Sequence, residues 1–211
     1  MAALAMDEAA ASAQRPLLRL TLLCEEPPRI ELDGCRLELS RVRIELLTLL
    51  AERPAGMTSE ELAADLYGDA GRPGAVRVQV FRLRKDLGPW LHAGPYRLAL
   101  DVESDVARVG RLLEHGFVRE AAERYRCPLL PCSEAPGVVR AREALEGWLR
   151  HAVMTSDDPG ALFAWVRSVS GRDDLAAWKR LLANLPYDDP RRALAASRVR
   201  ALRDTYGLLA G

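Results

Sequence analysis

The chain has 211 residues, 49% hydrophobic, 28% charged and 6% aromatic, which is globular composition with enough length for a real core and one or two domains. Thirty basic residues balance thirty acidic ones, and Lys occurs only at 85 and 179, so the positive charge is almost entirely arginine. No apolar run approaches the ~18 residues of a membrane span and the N-terminus lacks a signal-peptide layout, so membrane, secreted-miniprotein, collagenous and wholly disordered classes drop out.

Residues 1–16, Ala-rich and ending in Arg15-Pro16, read as a disordered tail. Period-2 alternation then puts Leu18, Leu20 and Leu22 on one face of a strand, with Arg19 and Thr21 on the other. After Pro27-Pro28, the run Arg29 to Leu39 contains Asp33-Gly34, a type I′ hairpin signal because both central residues must accept positive φ. A two-residue turn there pairs Ile30 with Leu37 and Leu32 with Cys35 on an apolar face. The same register sets Arg29 opposite Glu38, and Glu31 opposite Arg36, on the polar face.

Ser40 is the expected cap of a helix with the stripe Val42, Leu46, Leu49 and Leu50, stopped near Pro54 and Gly56. Thr58-Ser-Glu-Glu61 is a capping box opening a short helix with Leu62 and Leu66 inward, closed by Gly68. A third helix is expected over 74–87, ended by Gly88-Pro89, then the turn-prone His92-Ala-Gly-Pro95 and a strand from Tyr96 to Leu100. From about Glu103 only helical periods remain. Val106, Val109, Leu112 and Leu113 make one stripe, and Val118, Ala121, Ala122 and Tyr125 the next. Pro136 starts a helix carrying Val139, Leu145, Trp148, Leu149 and Ala152; Asp158-Pro159 and Asp189-Pro190 are further start signals, and Asp174 precedes a helix with Leu175, Trp178, Leu181 and Leu182. This half reads as about six helices of tetratricopeptide-like flavour without a clean 34-residue period, and Trp148, Trp165 and Trp178 read as core.

Little here supports catalysis or metal binding. His92, His115 and His151 lie far apart, and Cys127-x4-Cys132 lacks a second close Cys/His pair for zinc. Cys24, Cys35, Cys127 and Cys132 read as reduced, small buried hydrophobes of a cytoplasmic protein. There is no glycine-rich phosphate loop, no Gly-x-Ser-x-Gly, and no His beside an obvious nucleophile, so the reading is a non-enzyme without a cofactor.

The third helix is where function concentrates. Val76, Val80, Leu83 and Leu87 fall at i, i+4, i+7 and i+11, a buried stripe, while Arg77, Phe81, Arg84 and Lys85 occupy another side, flanked by Gln79 and Arg82. Residues 72–97 hold Arg72, Arg77, Arg82, Arg84, Lys85 and Arg97 against Asp86 alone. A neutral chain that gathers its positive charge on one helix and the hairpin after it suits phosphate neutralisation and entry into the DNA major groove. There Arg can grip guanine O6/N7 and Gln can pair with adenine N6/N7. The alternative for an Arg-rich helix face is plain solvation.

Strand, three helices and a hairpin is the order of a winged helix-turn-helix with an N-terminal sheet. Val76-x-Val78-x-Val80-x-x-Leu83-Arg84-Lys85-x-Leu87 resembles the recognition helix of OmpR/PhoB-type winged-helix regulators, and Gly94-Pro-Tyr96-Arg-Leu98 resembles their wing strand, with Pro95 departing from the usual Gly-x-Gly-Tyr. The resemblance implies DNA contacts at Gln79, Arg82 and Arg84, and a wing contact near Arg97; Phe81 stands where many members are polar or basic. Gly116-x4-Ala121-x3-Tyr125 through Pro131, then Val139-Arg140-Ala-Arg142-x2-Leu145, resembles the bacterial transcriptional activator domain that follows such winged helices.

The span from Pro16 to Tyr206 as a whole is similar to the C-terminal half of GAF-domain-containing bacterial transcriptional regulators. Leu66-Tyr-Gly-Asp69, Leu129-Leu-Pro-x-Ser-Glu-Ala-Pro-Gly137 and Asp188-Asp-Pro-Arg-Arg-Ala-Leu194 carry that likeness. Such relatives have a sensory GAF domain upstream, where this chain has the 16-residue tail. The expectation is a winged-helix DNA-binding domain over 17–101 and an all-helical interaction domain over 102–211. Double-stranded DNA is the expected partner, and the helical half would meet RNA polymerase or a second copy of the chain. The competing expectation is a protein–protein adaptor that uses both domains without DNA, with Phe81 as its best evidence.

Overall fold

A computed structural model describes residues 15–24 and 27–207, so all but the end of the tail expected at 1–16 lies outside the described residues. The chain divides into two compact units, one formed by the residues up to Leu20 with Arg29–Glu103, the other by Thr21–Pro28 with the residues from Ser104 onward.

In chain order, the elements of the first half are β1 (Leu17–Thr21), β2 (Arg29–Leu32), β3 (Cys35–Arg36), α1 (Arg41–Glu52), α2 (Ser59–Tyr67), α3 (Pro73–Leu87), β4 (Leu91–His92), β5 (Arg97–Leu98) and β6 (Asp101–Ser104). Four strands make a sheet in the order β3-β2-β1-β6, and β4 pairs with β5 separately. The hairpin takes the expected register, Glu31 opposite Arg36 and Leu32 opposite Cys35, with Leu37 N–H donating to Ile30 O at 2.8 Å. Asp33 and Gly34 both have positive φ, +49° and +80°, as a two-residue turn of this hand requires. Leu18, Leu20 and Ile30 supply the sheet's buried face.

One detail differs from the sequence reading. Cys35 is exposed, because β3 is a two-residue edge strand with nothing over it. On the polar face, where Glu31 stands opposite Arg36 as expected, Arg36 also meets Glu38 at 3.1 Å and Glu31 faces Arg19 of β1 at 3.8 Å.

Helix α1 buries Ile44 through Leu50, including Thr48, whose hydroxyl donates back to Ile44 O at 2.9 Å. Ser40 holds the cap position, but its hydroxyl caps no backbone N–H; it accepts instead from Arg43 Nε at 3.2 Å. The capping box of α2 is complete: Glu61 N–H donates to Thr58 Oγ1 at 3.1 Å, and Thr58 N–H to Glu61 Oε2 at 2.7 Å. Of the strand expected over Tyr96–Leu100 only Arg97–Leu98 forms, as β5, and a further strand, β6, follows it at Asp101–Ser104. β5 closes the wing, while β6 runs beside β1.

The second half holds α4 (Asp105–Glu114), α5 (Val118–Arg124), α6 (Pro136–Thr155), α7 (Pro159–Val166), α8 (Leu175–Asn184) and α9 (Arg191–Thr205). Short polar side chains start α4, α7, α8 and α9: Ser104, Asp158 and Asp174 accept from Ala107, Gly160 and Ala177 N–H, and Asp189 accepts from Arg191 N–H. Trp165 and Trp178 are core, and each indole N–H is satisfied, the first by Asp174 Oδ2 at 3.2 Å and the second by Arg172 O at 2.9 Å. Trp148 is not core. It is 41% exposed, with the edge of its ring near Gly110 of α4. Tyr125 is buried and donates to Glu146 Oε1 at 2.7 Å; burial and that carboxylate push its hydroxyl well above the ordinary tyrosine range.

The reduced-thiol expectation fails at two positions. An antiparallel bridge between Leu23 and Leu129 brings Cys24 and Cys127, 103 residues apart, to a Cα separation of 5.0 Å, and they are joined as a disulfide. Cys35 and Cys132 take no part in that disulfide, and both are exposed rather than buried. The architecture is a winged helix with an N-terminal sheet, followed by an all-helical region.

Candidate nucleic-acid interface

Helix α3 starts at Pro73, a residue suited to the first turn, and ends at Gly88, whose φ of +59° an ordinary side chain resists. Val76, Val80, Leu83 and Leu87 are buried, the stripe expected from their spacing. Arg84 and Lys85 lie in the last turn, where cations are favoured by the helix dipole.

The outward face is formed by Arg77, Phe81 and Lys85 at i, i+4 and i+8, with Val78 alongside. Phe81 is 64% exposed and Val78 48%, and the Lys85 ammonium stands 5.3 Å from the Phe81 ring centroid. Arg82 is exposed on one flank. Among the described residues, Arg72, Arg77, Arg82 and Arg97 make no side-chain hydrogen bond or ion pair, so their donors are open to a ligand.

Two of the expected contact residues stand elsewhere. Gln79 is half-buried, and at about 100° per residue it lies roughly 160° round the helix from Phe81, beside the buried stripe. Arg84 is exposed, yet its Nε donates to Leu91 O at 3.0 Å, which ties the helix to the first wing strand. Asp86, the only acid in the basic stretch, turns away from that face to Arg43 of α1, Oδ2 to Nη1 2.8 Å. The sequence reading missed this pair; nothing in the spacing of residues 43 and 86 signals it.

The wing pairs Leu91 with Leu98 and His92 with Arg97, leaving the Arg97 side chain exposed. Its turn contains Gly94 at φ +69° and a cis Gly94–Pro95 bond. The base of the wing is clamped to the start of α2: Met57 and Tyr96 exchange both backbone hydrogen bonds at 2.9 Å. Gly56 makes the clamp possible, since a Cβ there would lie 2.9 Å from Tyr96 O at a φ of +91°. The α3 face and the wing thus offer one helix for a groove about 12 Å wide and one exposed arginine beside it.

Among the described residues no group of three or more His, Cys, Asp or Glu is placed to hold a metal ion, and no helix is long and apolar enough to cross a membrane.

Three comparisons bear on this arrangement. A family model for the third C-terminal helical domain of YTH3-like proteins matches residues 158–208. The chain is 33% identical over 184 residues to an uncharacterized 47.3 kDa protein in the thcA 5′ region of Rhodococcus erythropolis; the match covers 86% of this chain and 42% of that protein. It is also similar to the solved structure of Mycobacterium tuberculosis EmbR in complex with a low affinity phosphopeptide, at 17% identity and a TM-score of 0.54, covering 92% of this chain and 60% of that one. The chain therefore spans less than two thirds of either protein, and the likeness to EmbR is one of fold: a winged helix with an N-terminal sheet, continued by a helical, activator-like region.

Proposed function

We propose that the chain is a sequence-specific DNA-binding regulator of bacterial transcription, of the OmpR/PhoB type, working in the cytoplasm. The observation that carries this reading is the outward face of α3: Arg77, Arg82 and Lys85 surround Phe81, and the helix's one carboxylate is withdrawn to Arg43. Helix α3 enters the major groove, Arg82 and Arg77 read base edges or adjoining phosphates, and Arg97 on the wing grips the neighbouring backbone. Residues 17–101 act as the DNA-binding domain, and 102–211 as the domain that binds a second copy or RNA polymerase. We assign no catalytic role.

The test is binding of the full chain to duplex DNA across a salt series. Neutralising ~4–6 phosphates gives a slope of log affinity on log salt of about −4 to −5. No binding at low salt, or a flat slope, overturns the proposal.

A second reading is favoured by one observation: Phe81 and Val78 are large apolar groups exposed side by side on that same face. An adaptor would use them to bind protein, and it would show affinity for a polypeptide partner with no salt-dependent DNA binding.

A further inference from the structure

We propose that the helical unit carries a second ligand site, a receptor for a phosphate monoester, in the open groove walled by α5, α7 and α9. The groove has a volume of about 610 Å³, within the size range of small-molecule sites. Four guanidinium groups line it, those of Arg119, Arg126, Arg167 and Arg191, against one lining carboxylate, Glu123.

The four arginines divide into two kinds. Arg119 and Arg191 are held by acids that stand behind them. Arg119 makes a bidentate pair with Asp158, with Nε to Oδ2 at 2.6 Å, and Arg191 does the same with Asp189, with Nη2 to Oδ2 at 2.6 Å. Their planes are thereby oriented before any ligand arrives. Gly160 gives Arg119 its place, because a Cβ there would lie 2.5 Å from the guanidinium Nε.

Among the described residues Arg126 and Arg167 have no carboxylate partner. Arg126 Nε reaches only the backbone O of Glu123, at 3.3 Å. Its own carbonyl accepts from Val169 N–H at 2.9 Å, which sets its main chain beside the turn that follows Arg167. Arg167 and Arg191 both stand over the Phe163 ring, at 5.6 Å and 5.5 Å, so the ring steers guanidinium groups and is not open to a stacked base. With Arg119 and Arg191 already paired to Asp158 and Asp189, the charge left for an added anion is that of Arg126 and Arg167. The forked geometry matches the oxygens of a dianionic phosphate, and the remaining volume takes the group that the phosphate is esterified to.

The experiment titrates the full chain with O-phosphoserine at constant ionic strength, following heat and the arginine Nε–H NMR signals. In parallel arms it uses serine, inorganic phosphate, and a short serine peptide with and without its phosphate. Saturable binding of phosphoserine but not serine is expected, with Arg126→Ala and Arg167→Ala each weakening it about tenfold, equivalent to 1.4 kcal/mol. Arg167→Lys recovers only part, because an ammonium cannot fork. Gly160→Ala weakens binding by displacing Arg119, while Arg82→Ala in α3 leaves it unchanged. Binding of the phosphopeptide alone identifies a protein source for the phosphate, and equal binding of free phosphoserine a small metabolite. The proposal is overturned if no phosphate compound saturates the site, or if binding survives both arginine-to-alanine changes; circular dichroism and an Arg167→Gln variant separate loss of the site from loss of fold.

Discussion

The guanidinium of Arg43 and the carboxylate of Asp86 meet at 2.8 Å, joining α1 to α3 on the side facing away from the helix's exposed surface. The pair does two things at once. It braces the two helices, and it removes the single negative charge within residues 72–97 from the surface where positive charge is displayed. Both groups are about a quarter exposed, so the pair is less screened than a surface ion pair. We expect Asp86→Asn to lower stability by about 1 kcal/mol, while the salt slope of DNA binding stays within experimental error of the parent. Urea unfolding and a salt titration check this; a steeper slope would show that Asp86 faces the ligand after all.

Residues on α3 should separate by face. Arg77→Ala and Lys85→Ala should each reduce the magnitude of the salt slope by about 1, if each neutralises a phosphate. Arg82→Ala should lower discrimination between specific and non-specific DNA by ~1–3 kcal/mol. Gln79→Ala should change discrimination less than Arg82→Ala, because Gln79 stands beside the buried stripe. Competition binding with random-sequence DNA decides the order.

Gly56→Ala should destabilise the fold by about 1–3 kcal/mol, since the new Cβ meets the Tyr96 carbonyl at a strained φ. The damage should be centred on the wing, with hydrogen exchange quickening at Tyr96 and Met57 N–H before it does in α1. Unchanged stability would mean that the Met57–Tyr96 clamp opens at little cost.

Reducing the Cys24–Cys127 bond should lower stability by up to about 4–5 kcal/mol, the loop-closure entropy for a 103-residue separation. Thermal melts with and without reductant read the effect directly. A Cys24→Ser variant should melt like the reduced protein and ignore the reductant.

The helical region should also lose stability in acid. Burial raises the Asp174 carboxyl, but the hydrogen bonds from Arg150, Ala177 N–H and the Trp165 indole together outweigh it and hold the group below its ordinary value of 3.8. An acid whose folded pKa is depressed adds stability that is complete above its unfolded value. That stability disappears as pH falls through the folded one. Urea midpoints should therefore fall on going from pH 6 to pH 3, and Asp174→Asn should flatten that part of the profile. A midpoint that rises in acid would contradict the assignment.

Much of this was legible from residue order because it is local. The Asp33-Gly34 hairpin, the Thr58–Glu61 box and the stripe from Val76 to Leu87 each depend on residues within one or two turns of each other. What escaped is set by distant partners. From its neighbours Ser40 reads as an ordinary cap, because the competing Arg43 guanidinium cannot be weighed from the sequence. The run from Tyr96 to Leu100 alternates well enough for one strand, yet only Arg97–Leu98 finds a partner in the wing, and the strand beside β1 lies further on, at Asp101–Ser104. Trp148 follows a core spacing, yet it lies at the surface, and spacing along one helix does not say how far the neighbouring helices cover it. At the candidate site, the basic character of α3 was plain, but which cations remain open was not. Arg84 goes to Leu91 O and Asp86 to Arg43, and neither follows from counting charges.

The placing of the tryptophans has a practical consequence. The sequence has four, and three of them, Trp148, Trp165 and Trp178, sit on helices of the second half. Trp90 stands alone in the first half, half-buried, with its carbonyl accepting from Ala99 N–H at 2.7 Å just behind the wing. A chain carrying phenylalanine at the other three positions would hold a single native fluorophore next to the hairpin. Its emission and quenching would report the arrival of a duplex at the wing in real time, without a dye or a label on either molecule.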